Sequence, residues 1–164
     1  MYNELTKKDI EKMEEELNHR ITVIRPRILE EVKFARSHGD LSENFEYKAA
    51  KQERGKNESR IRFLKNMIKT AIIIEDNSSD DEVGFYDKVT FLVDDEEETV
   101  QVVTTVRHDA LNNIVSNQSP LGKALLDKRV GDRVTVEATD FSYDIVIKSI
   151  EKGKDDGSLG LRSY

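Results

Sequence analysis

Cysteine and tryptophan are absent from this 164-residue chain, and proline occurs only twice. Without cysteine there is no disulfide, no thiolate nucleophile and no cysteine-bound zinc, an absence that suits a reducing compartment. Long apolar runs are missing too. The strongest near the middle, Ala71-Ile72-Ile73-Ile74, is far too short to span a bilayer, and no N-terminal stretch joins a basic start to an apolar core. A cytoplasmic location with no membrane partner is therefore expected. A basic excess is also lacking. The net charge of -7 argues against a protein that coats duplex nucleic acid, which needs cations to displace the counterions of phosphates.

Charge of both signs is plentiful. Charged residues make up 36% of the chain and hydrophobic ones 37%, a balance of globular or rod-like proteins rather than disordered ones. At roughly 100 to 200 residues per domain, the length allows one domain or two small ones. Residues 1–74 carry 16 Lys and Arg against 13 Asp and Glu, a net +3, and the remainder carries 10 against 20, a net -10. Two modules with different surfaces fit this asymmetry.

Ile10, Met13, Leu17, Ile21, Ile24, Ile28, Val32 and Ala35 recur at steps of three and four, which predicts one apolar face on a long helix over residues 7–37. Thr6 is placed to cap its start, and Gly39 to end it through a left-handed conformation. Pro26 predicts a kink within it. A second heptad pattern runs through Tyr47, Ala50, Arg54, Asn57, Ile61, Leu64, Ile68 and Ala71. The short connection between the two makes an antiparallel coiled-coil hairpin, with its turn around Gly39 to Ser42.

Residues 77–82 read as a polar linker, which divides the chain into a coiled-coil domain at 1–76 and a second domain at 83–164. In the second, Val89 to Val93, Thr99 to Val106, Val134 to Ala138 and Tyr143 to Ile150 are rich in β-branched and aromatic residues, as strands are. Ser119-Pro120 ahead of Leu121, Ala124, Leu125 and Leu126 predicts a short capped helix. Gly153 to Gly160 reads as a flexible tail. The expected class is α+β.

The turn of the hairpin reads Gly39-Asp40-Leu41-Ser42-Glu43-Asn44-Phe45-Glu46-Tyr47. Asp40 with Glu43 three residues on is the spacing of a capping box, in which the two side chains satisfy backbone N–H groups reciprocally. The same two carboxylates can instead supply oxygen ligands to Mg2+, which normally takes one or two protein carboxylates. Two acids alone hold such an ion weakly, so this second reading requires a partner that completes the site. Ser42 and Asn44 would then orient water or phosphate.

Arg25-Pro26, the run from Arg36 through His38-Gly39-Asp40-Leu41-Ser42-Glu43-Asn44 to Glu46-Tyr47, Ala49-Ala50-Lys51, Arg60-Ile61, and Ser119-Pro120-Leu121-Gly122-Lys123-Ala124-Leu125-Leu126 together resemble the bacterial GreA/GreB transcript-cleavage factors. The order and spacing match over roughly Leu5 to Ile150. The resemblance implies an N-terminal coiled coil and a C-terminal domain of FKBP-like fold. It implies a factor that binds bacterial RNA polymerase through the secondary channel, probing toward the polymerase's catalytic metal. The nascent RNA 3′ end of a backtracked complex would be its second partner. Asp40 and Glu43 match the family's metal-binding acids, Ser42 and Asn44 its supporting tip positions, and Ser119, Pro120 and Leu121 its polymerase-docking segment. The implied cofactor is a Mg2+ shared with the polymerase active site. Asp127 departs from the family, standing where a glycine often follows the paired leucines.

Arg36 near the tip and Arg54, Lys56 and Arg60 on the second helix form a candidate RNA-proximal basic face, extended by Arg62, Lys65 and Lys69. The bland alternative is a solvated helix face, since Glu53 and Glu58 lie among these cations. No phosphate loop, metal-binding histidine pair or Ser/His/Asp constellation stands out, so the chain is expected to act through polymerase, as a monomer, rather than as an independent enzyme. Two other functions fit the same residues: a channel-binding inhibitor that does not stimulate cleavage, and a coiled-coil scaffold whose tip acids only cap a helix.

Overall fold

A computed structural model describes residues 3–39 and 44–163. Among these the chain forms two compact units, one of residues 10–71 and one of residues 3–9 with 72–163. The fold is α+β, with a helical hairpin in the first unit and a mostly antiparallel sheet in the second. The short segment 3–9 thus belongs with the sheet rather than with the coiled coil.

After strand β1 (Asn3–Leu5), helix α1 (Lys7–His19) opens on a capping box. The Asp9 N–H donates to Thr6 Oγ1 at 3.2 Å and the Thr6 N–H to Asp9 Oδ2 at 3.0 Å. The expected helix over 7–37 is interrupted: Arg20–Ile24 is a π-helical segment, with the Arg25 N–H bonded to the Arg20 carbonyl, before helix α2 (Arg25–Arg36) resumes. Pro26 explains the interruption. It has no N–H, and its ring clashes with the carbonyl four residues back in an unbroken α-helix. The wider π turn relieves this, leaving Pro26 in the first turn of α2, where proline fits. Gly39, at φ +104°, follows the end of α2 in a conformation that favours glycine.

Helix α3 (Phe45–Thr70) returns along the hairpin. Ile28, Val32 and Ala35 of α2 are buried, as are Ala50, Asn57, Arg60, Ile61, Leu64 and Met67 of α3. Arg25 forks onto Glu58 at 2.8 and 2.9 Å, and Arg27 reaches Glu53 at 2.9 Å. Partners on α2 and α3 move apart in sequence with distance from the turn, as antiparallel helices require.

Strand β2 (Ala71–Ile73) pairs with β1. Then β3 (Lys88–Val93), β4 (Glu96–Val103), β5 (Ile114–Ser116), β6 (Arg133–Glu137) and β7 (Ser142–Glu151) form a sheet ordered β5-β4-β3-β7-β6. Only the β4–β5 pairing is parallel. Asp94 and Asp95, both at positive φ, make the two-residue hairpin between β3 and β4. Val83, Val89, Phe91, Val100, Val102, Leu125, Val136, Ile145 and Ile147 fill the core, with Leu125 supplied by helix α4 (Pro120–Leu125).

The stretch read as a linker is fastened to the sheet unit. Arg129 pairs with Asp81 and Glu82, and the Lys152 ammonium donates to Ser78 Oγ and to the Ser79 and Glu82 carbonyls. The stretch read as a flexible tail is fastened too. The Gly153 N–H donates to Asp87 Oδ1 at 2.9 Å and, just past the stretch, the Arg162 N–H donates to the Val106 carbonyl at 2.7 Å.

At the centre of that tail's attachment lies Arg107, 2% exposed. Its guanidinium pairs with Asp9 and Asp155 at 2.8 and 2.9 Å and donates to the Leu159 carbonyl at 2.6 Å. Thr104 Oγ1 completes the Asp9 carboxylate at 2.8 Å. Burial, reinforced by the Asp9 charge, pushes the neighbouring Tyr86 hydroxyl far above the ordinary tyrosine range.

Candidate functional site

Asp40, Ser42 and Glu43, the predicted tip residues, lie outside the described residues. Asn44 lies within them, and its position shows how the two helices are joined. The Asn44 Oδ1 accepts the Tyr47 N–H at 3.0 Å, capping α3, while its Nδ2 donates to the Ala35 carbonyl at 2.6 Å. Both ends of the amide are thus engaged by the hairpin itself: Asn44 clasps the end of α2 to the start of α3.

Beside this clasp, Arg36 is exposed and lies over the Tyr47 ring, 5.5 Å from its centroid, with Nη2 donating to the hydroxyl at 3.3 Å. That hydrogen bond is the main reason the Tyr47 hydroxyl lies below its usual range. Phe34 and His38 meet edge to face, centroids 4.5 Å apart. Phe45, the first residue of α3, is 80% exposed, and Lys48 Nζ lies 5.7 Å from its ring centroid.

The predicted basic face divides. Arg36 and Lys56 are exposed and Arg54 is half-buried, but Arg60 is only 7% exposed and belongs to the seam. Its guanidinium grips Glu16 at 2.8 and 3.1 Å, and Glu16 also accepts from Arg20, whose other arm donates to Asn57 Oδ1 at 2.9 Å. The placement of Arg60 on an RNA-proximal face is therefore corrected. Three residues from Asn57, it shares the inward stripe, where a carboxylate partner compensates its charge. Burial alone would raise the Glu16 carboxyl, but the hydrogen bonds and charges of Arg60 and Arg20 outweigh it and hold the group below its ordinary value.

In the sheet unit, Ser119 caps α4 by accepting the Gly122 N–H at 3.0 Å and donates to the Ser116 carbonyl at 2.7 Å. Pro120 occupies the first helical position and is exposed, whereas Ser119 and Leu121 are half-buried, Leu121 against the core. Gly122 is forced by close approach: a Cβ there would strike the Ser116 carbonyl. Asp127 takes φ +65°, which explains why a glycine suits its position.

A cavity of about 590 Å3 opens beside α4, with Glu4, Asp76, Gln118, Lys123 and Asp127 in its wall. Glu4 accepts from Asn117 and Gln118 at 3.1 and 3.3 Å, bracing the loop ahead of Ser119. Sequence pattern gave no sign of Glu4, whose partners lie more than a hundred residues away. Among the described residues no helix is long and apolar enough to cross a membrane, and no group of three or more His, Cys, Asp or Glu is gathered to hold a metal.

Two family models match the chain: "Transcription elongation factor, N-terminal" over residues 3–73, and "Transcription elongation factor, GreA/GreB, C-term" over residues 78–152. The chain is similar to transcription elongation factor GreA of Geobacillus kaustophilus, with 48% identity over 136 residues, 81% of this chain and 86% of the relative. Against the GreA of Staphylococcus aureus the identity is 46% over 134 residues, 80% and 85% of the two chains. Among solved structures, GreA factor homolog 1 of Thermus thermophilus is 26% identical, with 93% of this chain and 100% of that one covered at a TM-score of 0.44. The hairpin with its clasped turn and the sheet unit with its capped α4 both fall within the matched spans, and the chain belongs to the GreA/GreB family of transcription elongation factors.

Proposed function

We propose that this chain binds RNA polymerase and stimulates the polymerase's own cleavage of backtracked RNA 3′ ends, acting in the cytoplasm as a monomer. The observation that carries the reading is the acidic turn of a family member: Asp40 to Glu43 join Gly39 to Asn44, and Asn44 is tied to both helices of the hairpin. Such a clasp holds the end of α2 and the start of α3 together.

The donor set suits Mg2+, since Asp40 and Glu43 offer hard oxygen ligands in the number that ion takes from protein. Both acids would hold it jointly with the polymerase active site, and when bound it supplies charge stabilisation for the attacking and leaving oxygens of phosphodiester hydrolysis. Ser42 offers a hydroxyl to water or phosphate, while Asn44 acts by tying the end of α2 to the start of α3. Arg36 and Lys56 remain exposed to attract the phosphates of the nascent RNA. Ser119, Pro120 and Leu121 present the docking segment, of which Pro120 is the exposed member.

The test is RNA 3′ cleavage in purified backtracked elongation complexes with Mg2+, comparing the unaltered chain with Asp40→Asn, Glu43→Gln and the double variant. Stimulation that each variant loses by about 100-fold or more, while polymerase binding persists, is the expected outcome. Binding without stimulation by the unaltered chain would make it a channel-occupying inhibitor, and absence of binding would reject the reading.

A further inference from the structure

Three of the five aromatic residues within positions 1–74, Phe34, Phe45 and Tyr47, lie close to the turn of the hairpin. Tyr47 is covered by Arg36 and held by its hydrogen bond, and Phe34 meets His38. Phe45 differs. It is 80% exposed, makes no contribution to the hairpin's buried seam, and stands next to the clasp residue Asn44, which fixes its backbone at the start of α3. Capping does not require a phenylalanine there. A cation accompanies it, Lys48 at 5.7 Å from the ring centroid.

An exposed ring on a fixed backbone, with a cation over one face, has the chemistry that receives an unpaired nucleobase: the other face stacks on the base and the ammonium meets the phosphate. We infer that Phe45 stacks on an unpaired base of the backtracked RNA 3′ segment and, with Lys48, positions that segment against the tip acids. The inference rests on the proposed polymerase-directed function. Phe45 is a positioning residue, since the bond that breaks is addressed by Asp40 and Glu43. A protein surface is the competing cover for the ring, and the two differ in one respect, whether the RNA base itself matters.

Two arms separate these cases. In the first, cleavage rates are measured in backtracked complexes with factor bearing Phe45, Phe45→Ala or Phe45→Trp, on RNA whose 3′-terminal nucleotide is either intact or abasic. Phe45→Ala is expected to slow cleavage of intact RNA by about 5-fold or more, the range of aromatic–base stacking, with Phe45→Trp restoring the rate and the abasic RNA erasing the difference. An unchanged rate with Phe45→Ala, or an equal loss on intact and abasic RNA, overturns the inference and leaves the cleavage function standing. In the second arm, 2-aminopurine at the RNA 3′ end reports stacking without cleavage. Quenching by the unaltered chain but not by Phe45→Ala supports the inference even where no stimulation is seen, and absence of quenching overturns it.

Discussion

Along the hairpin, Asn57 and Arg60 sit in the seam with Ile61, Leu64 and Met67, and their partners Glu16 and Arg20 reach in from a rim that stays partly wet, about a quarter of each side chain exposed. In the sheet unit nine apolar side chains fill one core, and ionic groups are gathered apart from it around Arg107, which is dry. The contrast teaches where charge is cheap to lose. A rim carboxylate removed from the hairpin is replaced in part by water, whereas removing one member of the dry network leaves the others charged and without solvent.

The largest effect should therefore come from the sheet unit. Arg107→Met leaves Asp9 and Asp155 facing each other in a closed site and is expected to destabilise that unit by about 3–5 kcal/mol, measured by residue-resolved amide hydrogen exchange. Protection unchanged in β3 and β7 would show that the network is hydrated after all. Next in size, Glu16→Gln removes the negative charge and one of the two acceptor oxygens that Arg60 and Arg20 share, and should weaken the hairpin by about 1–3 kcal/mol, with protection lost in α3 and retained in the sheet.

The smallest effects are pH limbs of opposite sign. The Glu16 carboxyl is depressed in the folded chain, so its contribution is present above the unfolded value and is lost as pH falls through the folded one; acid should weaken the hairpin, and Glu16→Gln should flatten that limb. The Tyr86 hydroxyl is raised, so its contribution is present below the unfolded value of about 10 and declines as pH climbs beyond it. Tyr47 is shifted the other way by Arg36, which gives the hairpin no such alkaline loss. Tyr86→Phe should flatten the alkaline limb of the sheet unit alone, as followed by denaturant unfolding across pH.

What could be read from sequence was what depends on neighbours in the chain. The Thr6 cap, the stop at Gly39, the Ser119-Pro120 helix start and the four long strands follow from local conformational preference and period. What escaped depends on partners far along it. Asp9 reads as an ordinary first-turn acid until Arg107 and Thr104 are seen beside it. The tail reads as flexible because the groups that hold it, Arg107 on Asp155 and Leu159 and Lys8 on Asp155, lie far away along the chain. Arg60 reads as surface because a helix period alone does not say that Glu16 awaits it. At the site, the motif singles out Asp40 and Glu43, which lie outside the described residues, while the second engagement of Asn44, with the Ala35 carbonyl, required the helices to be brought together.

The π segment at Arg20–Ile24 carries a consequence of phase. Each of its hydrogen bonds encloses one residue more than an α turn does, so it absorbs a one-residue insertion without breaking the backbone ladder. Residues before it and after it are counted on different dials, and the heptad numbering of α1 cannot be extended into α2 unchanged. Deleting the exposed Val23 would close the segment to an ordinary α turn with Ile28 and Val32 still facing α3, whereas the same deletion within α1, where no extra residue is held, would turn one side against the other by about 100°.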